Sequence, residues 1–128
     1  MRLWHEKLIT KLPRQQLLGQ HRECCALRGN GWGKSHAIVN YVFHYSPYRL
    51  FLYHQFIMEE MKGRGYRVDP LWENAFYRGK QCKQHTKESL YAGEENISNE
   101  WPVYPEHDDT YLQECVVNLK EKGIDILV

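Results

Sequence analysis

His21, Cys24 and Cys25 stand three and four residues apart. That spacing puts metal-ligating side chains on neighbouring strips of one helical turn. A closed structural zinc site takes four ligands. The others would have to come from Cys82, His85, His107 or Cys115, and no CxxC pair is present. The competing reading is that the cysteines are small buried hydrophobes. Both readings stay open, and no metal is assigned. No serine has a GxSxG context. A thiolate pair of Cys24 with His21 would lie on an otherwise apolar face, which disfavours it. The loop GNGWGKSH, residues 29–36, has three glycines without the spacing of a phosphate loop. It reads as a flexible, basic, aromatic-bearing loop.

The elements that must position these groups are mostly helices. Pro13 opens a segment, RQQLLGQHRECCALR, that stops at Gly29-Asn30-Gly31. Leu17, His21, Cys24 and Arg28 share one face of it, and Gln16, Gln20, Glu23 and Leu27 form another stripe. Gln15, Gly19, Arg22 and Ala26 line the strip between, where small residues would let another backbone come close. Residues 36–45 are ambiguous between a short helix and a strand. Ser46-Pro47 starts a core helix with Leu50, Tyr53, His54, Ile57 and Met61 in one stripe, closed by Gly63 and Gly65. Asp69-Pro70 starts a short helix, LWENAFY. Residues 79–105 read as a long irregular connection. Asp108 or Asp109 caps a last helix that buries Leu112, Cys115, Val116 and Leu119 and stops at Gly123. The terminal IDILV is either a short strand or a packed tail. The expected fold is all-α: a single compact domain, residues 1–128, of about three main helices with the N-terminal segment packed against the first.

Composition narrows the class. Seventeen aromatic residues in 128 exclude a disordered chain. There is no apolar run of the 18 or more residues that a membrane span needs. The opening MRLWHEKLITKLPRQQ lacks the apolar core of a secretory signal. Four cysteines, two of them adjacent, do not form a disulfide pattern, so a reduced, cytoplasmic protein is expected. The net charge of +1 hides an asymmetry: residues 1–85 carry 14 Lys and Arg against 6 Asp and Glu, and residues 86–128 carry 3 against 10. A basic N-terminal part can bind a polyanion, although the two parts could also pair with each other. Arg2, Arg14, Arg22, Arg28, Lys34 and His36 are the candidate contacts to such a polyanion.

In LPRQQLLGQHRECCAL, residues 12–27, Gln15 is followed seven and eight residues later by the pair Arg22-Glu23. With Met1-Arg2-Leu3, His36 and Arg64-Gly65-Tyr66, this segment resembles the pyrimidine-dimer DNA glycosylases with abasic-site lyase activity, the phage-type endonuclease V family. The resemblance spans roughly residues 1–68. It implies a cofactor-free, metal-free enzyme that acts on damaged double-stranded DNA with no obligate protein partner, cytoplasmic and nucleoid-associated when bound. Its nucleophile would be the α-amine of Met1, which Arg2 would keep in place. Glu23 would be the catalytic carboxylate, and Gln15 would join the DNA contacts. Ala26 stands where the family has a second helix arginine, and the family's aromatic C-terminal tail is absent. The alternatives are therefore a non-catalytic nucleic-acid-binding protein on the same scaffold or a small zinc-binding protein.

Overall fold

A computed structural model describes residues 2–34, 39–94 and 102–127. Met1 and His36 lie outside the described residues. Among those described there are helices and no strand, as the sequence leads one to expect. In chain order the α-helices are α1 (Arg14–Arg28), α2 (Pro47–Gly63), α3 (Lys87–Tyr91) and α4 (Asp109–Glu121). Short 3-10 helices span Glu6–Lys11, Asn40–His44 and Pro70–Glu73. None of these helices is long and apolar enough to cross a membrane.

The long helices begin and end where the chemistry of their ends dictates. Ser46 caps α2 by accepting from the Arg49 backbone N–H, with Pro47 in the first turn. Gly65, at φ +84°, turns the chain so that Tyr66 N–H donates back to the Met61 carbonyl. Asp108 caps α4 through the Tyr111 N–H at 2.8 Å. α1 packs on α2. Their core includes Leu17, Cys24 and Leu27 from the first and Leu50, Ile57 and Met58 from the second, none more than 1% exposed. Each such leucine contributes roughly 1.5–3 kcal/mol by leaving water. α4 adds Leu112, Cys115 and Leu119.

Two local readings change, and the open reading of the tail is settled as packing. Residues 79–105 are not wholly irregular, because α3 forms there behind a reciprocal cap between Thr86 and Ser89. The helix after Asp69 is a single 3-10 turn, Pro70–Glu73. The tail at 124–127 forms no strand; Ile126 is buried and the Leu127 carbonyl accepts from Lys11 Nζ.

The N-terminal segment is knitted into the molecule by buried polar groups. Both carboxylate oxygens of Glu6 accept from the Val103 N–H, at 2.9 and 3.1 Å. His107 Nδ1 lies 3.5 Å from the same carboxylate, and its Nε2 is 2.8 Å from the Tyr41 hydroxyl. Burial pushes the Glu6 carboxyl up to about 7 and His107 down to about 3. The Arg64 side chain donates to the carbonyls of Leu12 and Thr10, which fixes the link between the first 3-10 helix and α1 to the end of α2.

Candidate active site on the first helix

Gln20 is the hinge of this site. Its carboxamide is 1% exposed and meets the N-terminal backbone at two points. Oε1 accepts from the Trp4 N–H at 2.6 Å, and Nε2 donates to the Arg2 carbonyl at 3.2 Å. The Tyr53 hydroxyl donates between the Trp4 carbonyl, at 2.6 Å, and Gln20 Oε1, at 3.0 Å. From α4, the Tyr111 hydroxyl donates to the Leu3 carbonyl at 2.5 Å. The backbone of residues 2–4 is thereby fixed against α1, as expected. The hydrogen bonds that hold residues 2–4 to α1 come from Gln20, beside the strip of Gln15, Gly19, Arg22 and Ala26. A Cβ on Gly19 would meet, among the described residues, the Arg22 guanidinium at 3.6 Å and no backbone within 4 Å.

A cleft of about 230 Å³ opens where the segment meets the helix, lined by Trp4, Gln15, Gln16, Gly19, Gln20, Arg22 and Lys122. Glu23 follows Gln20 by three residues, about 4.5 Å along the helix axis on an adjacent strip. It is half-buried, and among the described residues it has no hydrogen-bond or ion-pair partner. Arg22 beside it is exposed and likewise unpaired. The two do not neutralise each other.

The other candidate residues scatter. Arg14 is exposed, with its guanidinium 5.4 Å from the centre of the Tyr66 ring. Lys34 is exposed on the loop after α1. Arg2 turns toward α4, its guanidinium 5.9 Å from the Trp4 ring and 5.7 Å from that of Tyr111. It lines a groove with Thr110, Glu114, Val117 and Glu121 rather than the cleft with Arg22.

Arg28 must be corrected. Its place at the helix end leads one to expect a basic contact, yet it is 4% exposed and its terminal nitrogens are spent inside the protein. Nη1 donates to His54 Nδ1 at 2.9 Å and to the Trp72 carbonyl at 2.8 Å. Nη2 donates to the carbonyls of Asn74 and Tyr77 at 2.9 and 3.1 Å. Phe51 and Trp72 rings lie 5.1 and 4.9 Å from the guanidinium carbon. Burial pulls its pKa to about 10, so it stays charged at neutral pH. Arg28 organises the 72–77 loop and cannot reach a phosphate. Replacing it with Met should cost about 3–5 kcal/mol, because three carbonyls and an imidazole lose their donor. Urea unfolding measures this, and a loss below about 1 kcal/mol would contradict the assignment.

A scan against protein-family models matches residues 1–74 to the family described as pyrimidine dimer DNA glycosylase. The chain belongs to this family. No curated protein and no solved structure matches it. Membership makes DNA the substrate class and glycosidic-bond cleavage the reaction class. The matched residues carry α1, α2 and the Gln20 contact; α4, which brings Lys122 to the cleft, lies outside them.

For a glycosylase of this family, the histidines and cysteines do different work from the metal site weighed above. Cys82 bonds Asn30, His85 meets Ser89, His107 meets Tyr41, and Cys115 is in the core. The ligand atoms that do converge are those of His21, Cys25 and His54, within 4.8 Å of one another. Arg28 decides their state. It can only donate, so His54 Nδ1 accepts and the neutral ring carries its proton on Nε2. That proton points at His21 Nδ1, 2.8 Å away. The nitrogen a metal would need is thus protonated, and a guanidinium sits against the same ring. Burial, then Arg28, holds His54 well below its usual range, and burial pushes the Cys25 thiol up to about 11. This donor set suits a hydrogen-bond relay better than a cation.

Sequence reasoning missed Gln20, Lys122 and His54. Gln20 left one trace: a glutamine in a stripe that ends at buried Leu27. His54 and Lys122 left none, because their partners are distant in sequence.

Proposed function

We propose that this protein is a glycosylase and abasic-site lyase acting on damaged double-stranded DNA through the α-amine of Met1, with Glu23 as its carboxylate. The observation that carries the reading is the clamp of residues 2–4 onto α1 at Gln20, one turn from Glu23. Residue 1 is one Cα–Cα step, about 3.8 Å, from Arg2, whose carbonyl Gln20 holds. An α-amine titrates near 7.7–8 and a lysine near 10.4, so near neutrality the terminal amine has far more free base.

The chemistry follows from that free base. The amine lone pair attacks C1′, and the bond to the damaged base breaks with its electron pair leaving on the base. Opening of the sugar ring, with a proton going to O4′, leaves an iminium between the amine and C1′. The Glu23 carboxylate faces the developing cation and stabilises it. A base then takes a proton from C2′, and the electrons expel the 3′ phosphate by β-elimination. Hydrolysis of the iminium frees the amine, and no cofactor is needed at any step. Arg22, Gln15, Arg14, Lys34 and Lys122 form the DNA-facing set and Arg2 bounds it on the α4 side; His36, outside the described residues, stays a candidate contact from the sequence. Residues 1–128 are taken as one folding unit, supported by the bonds from Glu6 to Val103 and Lys11 to Leu127.

Borohydride trapping tests the reading. Reduction of the iminium should leave a covalent adduct on duplexes carrying an abasic site or a cyclobutane dimer, and peptide mapping should place it on Met1. An adduct on a lysine, or none, refutes the proposal.

A further inference from the structure

We propose that Gln20 is a positioning residue of this reaction, setting the terminal amine against Glu23 through the backbone of residues 2–4. The inference rests on the amine reading above and adds a residue to it. The N-terminal backbone presents a donor at Trp4 and an acceptor at Arg2. A carboxamide satisfies both in one orientation, and it does so as a neighbouring strand would. Neither a carboxylate nor an aliphatic side chain of the same length can satisfy both. The pair of bonds therefore sets the register of the segment along α1 as well as its distance from it.

Gln20 does not act alone, and the geometry ranks its helpers. The Tyr53 hydroxyl, itself fully buried, donates from α2 to the Trp4 carbonyl and to Gln20 Oε1. Tyr111 holds the Leu3 carbonyl from α4. Tyr111 fixes the far side of the segment, whereas among the described residues Gln20 is the side chain that hydrogen-bonds residues 2–4 to the helix that bears Glu23. Loss of Gln20 frees the amine to wander relative to that carboxylate without altering the DNA-facing side chains Arg14, Gln15, Arg22 and Lys122.

The test compares wild type, Gln20→Leu and Tyr53→Phe on a duplex carrying an abasic site. In wild type the trapped adduct maps to Met1. In Gln20→Leu the single-turnover trapping rate should fall about 100-fold, the usual cost of displacing a reacting group by an ångström. Affinity for a duplex with an uncleavable abasic analogue should change by less than about threefold, since the contacts to phosphate are intact. The pH midpoint of trapping should move down by about one unit, because the displaced amine no longer feels the Glu23 carboxylate. A purely structural glutamine would leave that midpoint in place. Tyr53→Phe removes only a hydroxyl and should lower the rate about tenfold with a smaller shift of the same sign. It serves if Gln20→Leu does not fold. Folded variants with wild-type rate and midpoint overturn the proposal, and so does a fall in affinity as large as the fall in rate. Failure of the amine reading itself is seen separately, as an adduct on a lysine in the wild-type protein.

Discussion

Glu23→Gln should remove strand cleavage at abasic sites, by roughly a thousandfold in single-turnover rate, while leaving the protein folded and bound to DNA. The expectation comes from where Glu23 stands. It is half-buried on α1, three residues on from the Gln20 clamp, and no described residue neutralises it. A carboxylate so placed does little for the fold: it caps no helix and satisfies no buried donor among the described residues. Its charge is therefore available to a cation that forms only during reaction. Glutamine keeps the size and removes the charge, so the loss should fall on the chemical step. Thermal melting should change by little, since a substitution away from buried partners is usually worth within about 0.5 kcal/mol. The affinity for an uncleavable duplex should stay the same or rise, because a negative charge near phosphates is gone. Cleavage of an abasic duplex at the wild-type rate would show that Glu23 is not the catalytic carboxylate.

The helices were legible because their ends are local. Ser46-Pro47, Asp108, Gly65 and Gly123 each act on the backbone within a few residues, so the sequence carries the signal directly. α3 was missed because five residues are too few to show a period, and the Thr86–Ser89 pair is the local mark of its start. The site divides in the same way. Arg22 and Glu23 could be read as a pair on one helix, since helical period alone sets their neighbourhood. Arg28 could not be read correctly. An arginine in the last turn before a glycine loop has the pattern of an exposed base, and its burial is decided by carbonyls 44 to 49 residues away. His54 is hidden for the same reason, 33 residues from His21. Groups whose roles depend on tertiary partners leave no period in the chain, however strongly they are bound once folded.

The terminal amine gives the sharpest remaining test, because it separates this mechanism from any that uses a lysine. One residue added before Met1 should lower borohydride trapping by at least about 100-fold. The argument is geometric. The segment's register is set by Gln20 and Tyr111 through the backbone of residues 2–4. An added residue therefore cannot be absorbed by sliding, since a slide would break each of those bonds. The new α-amine stands one residue, up to about 3.6 Å of chain, beyond the position that the proposed mechanism requires. The old nitrogen becomes an amide, with no lone pair to attack C1′. Folding should be untouched, because the clamp bonds given by Gln20, Tyr53 and Tyr111 are made to the backbone of residues 2–4. Selective acetylation of the α-amine should have the same effect without lengthening the chain. Lys7, Lys11 and Lys34 are unchanged in the extended protein, so they provide the internal control. Undiminished trapping by the extended chain would mean that a lysine, with Lys122 in the cleft the first to map, and not Met1, carries the adduct.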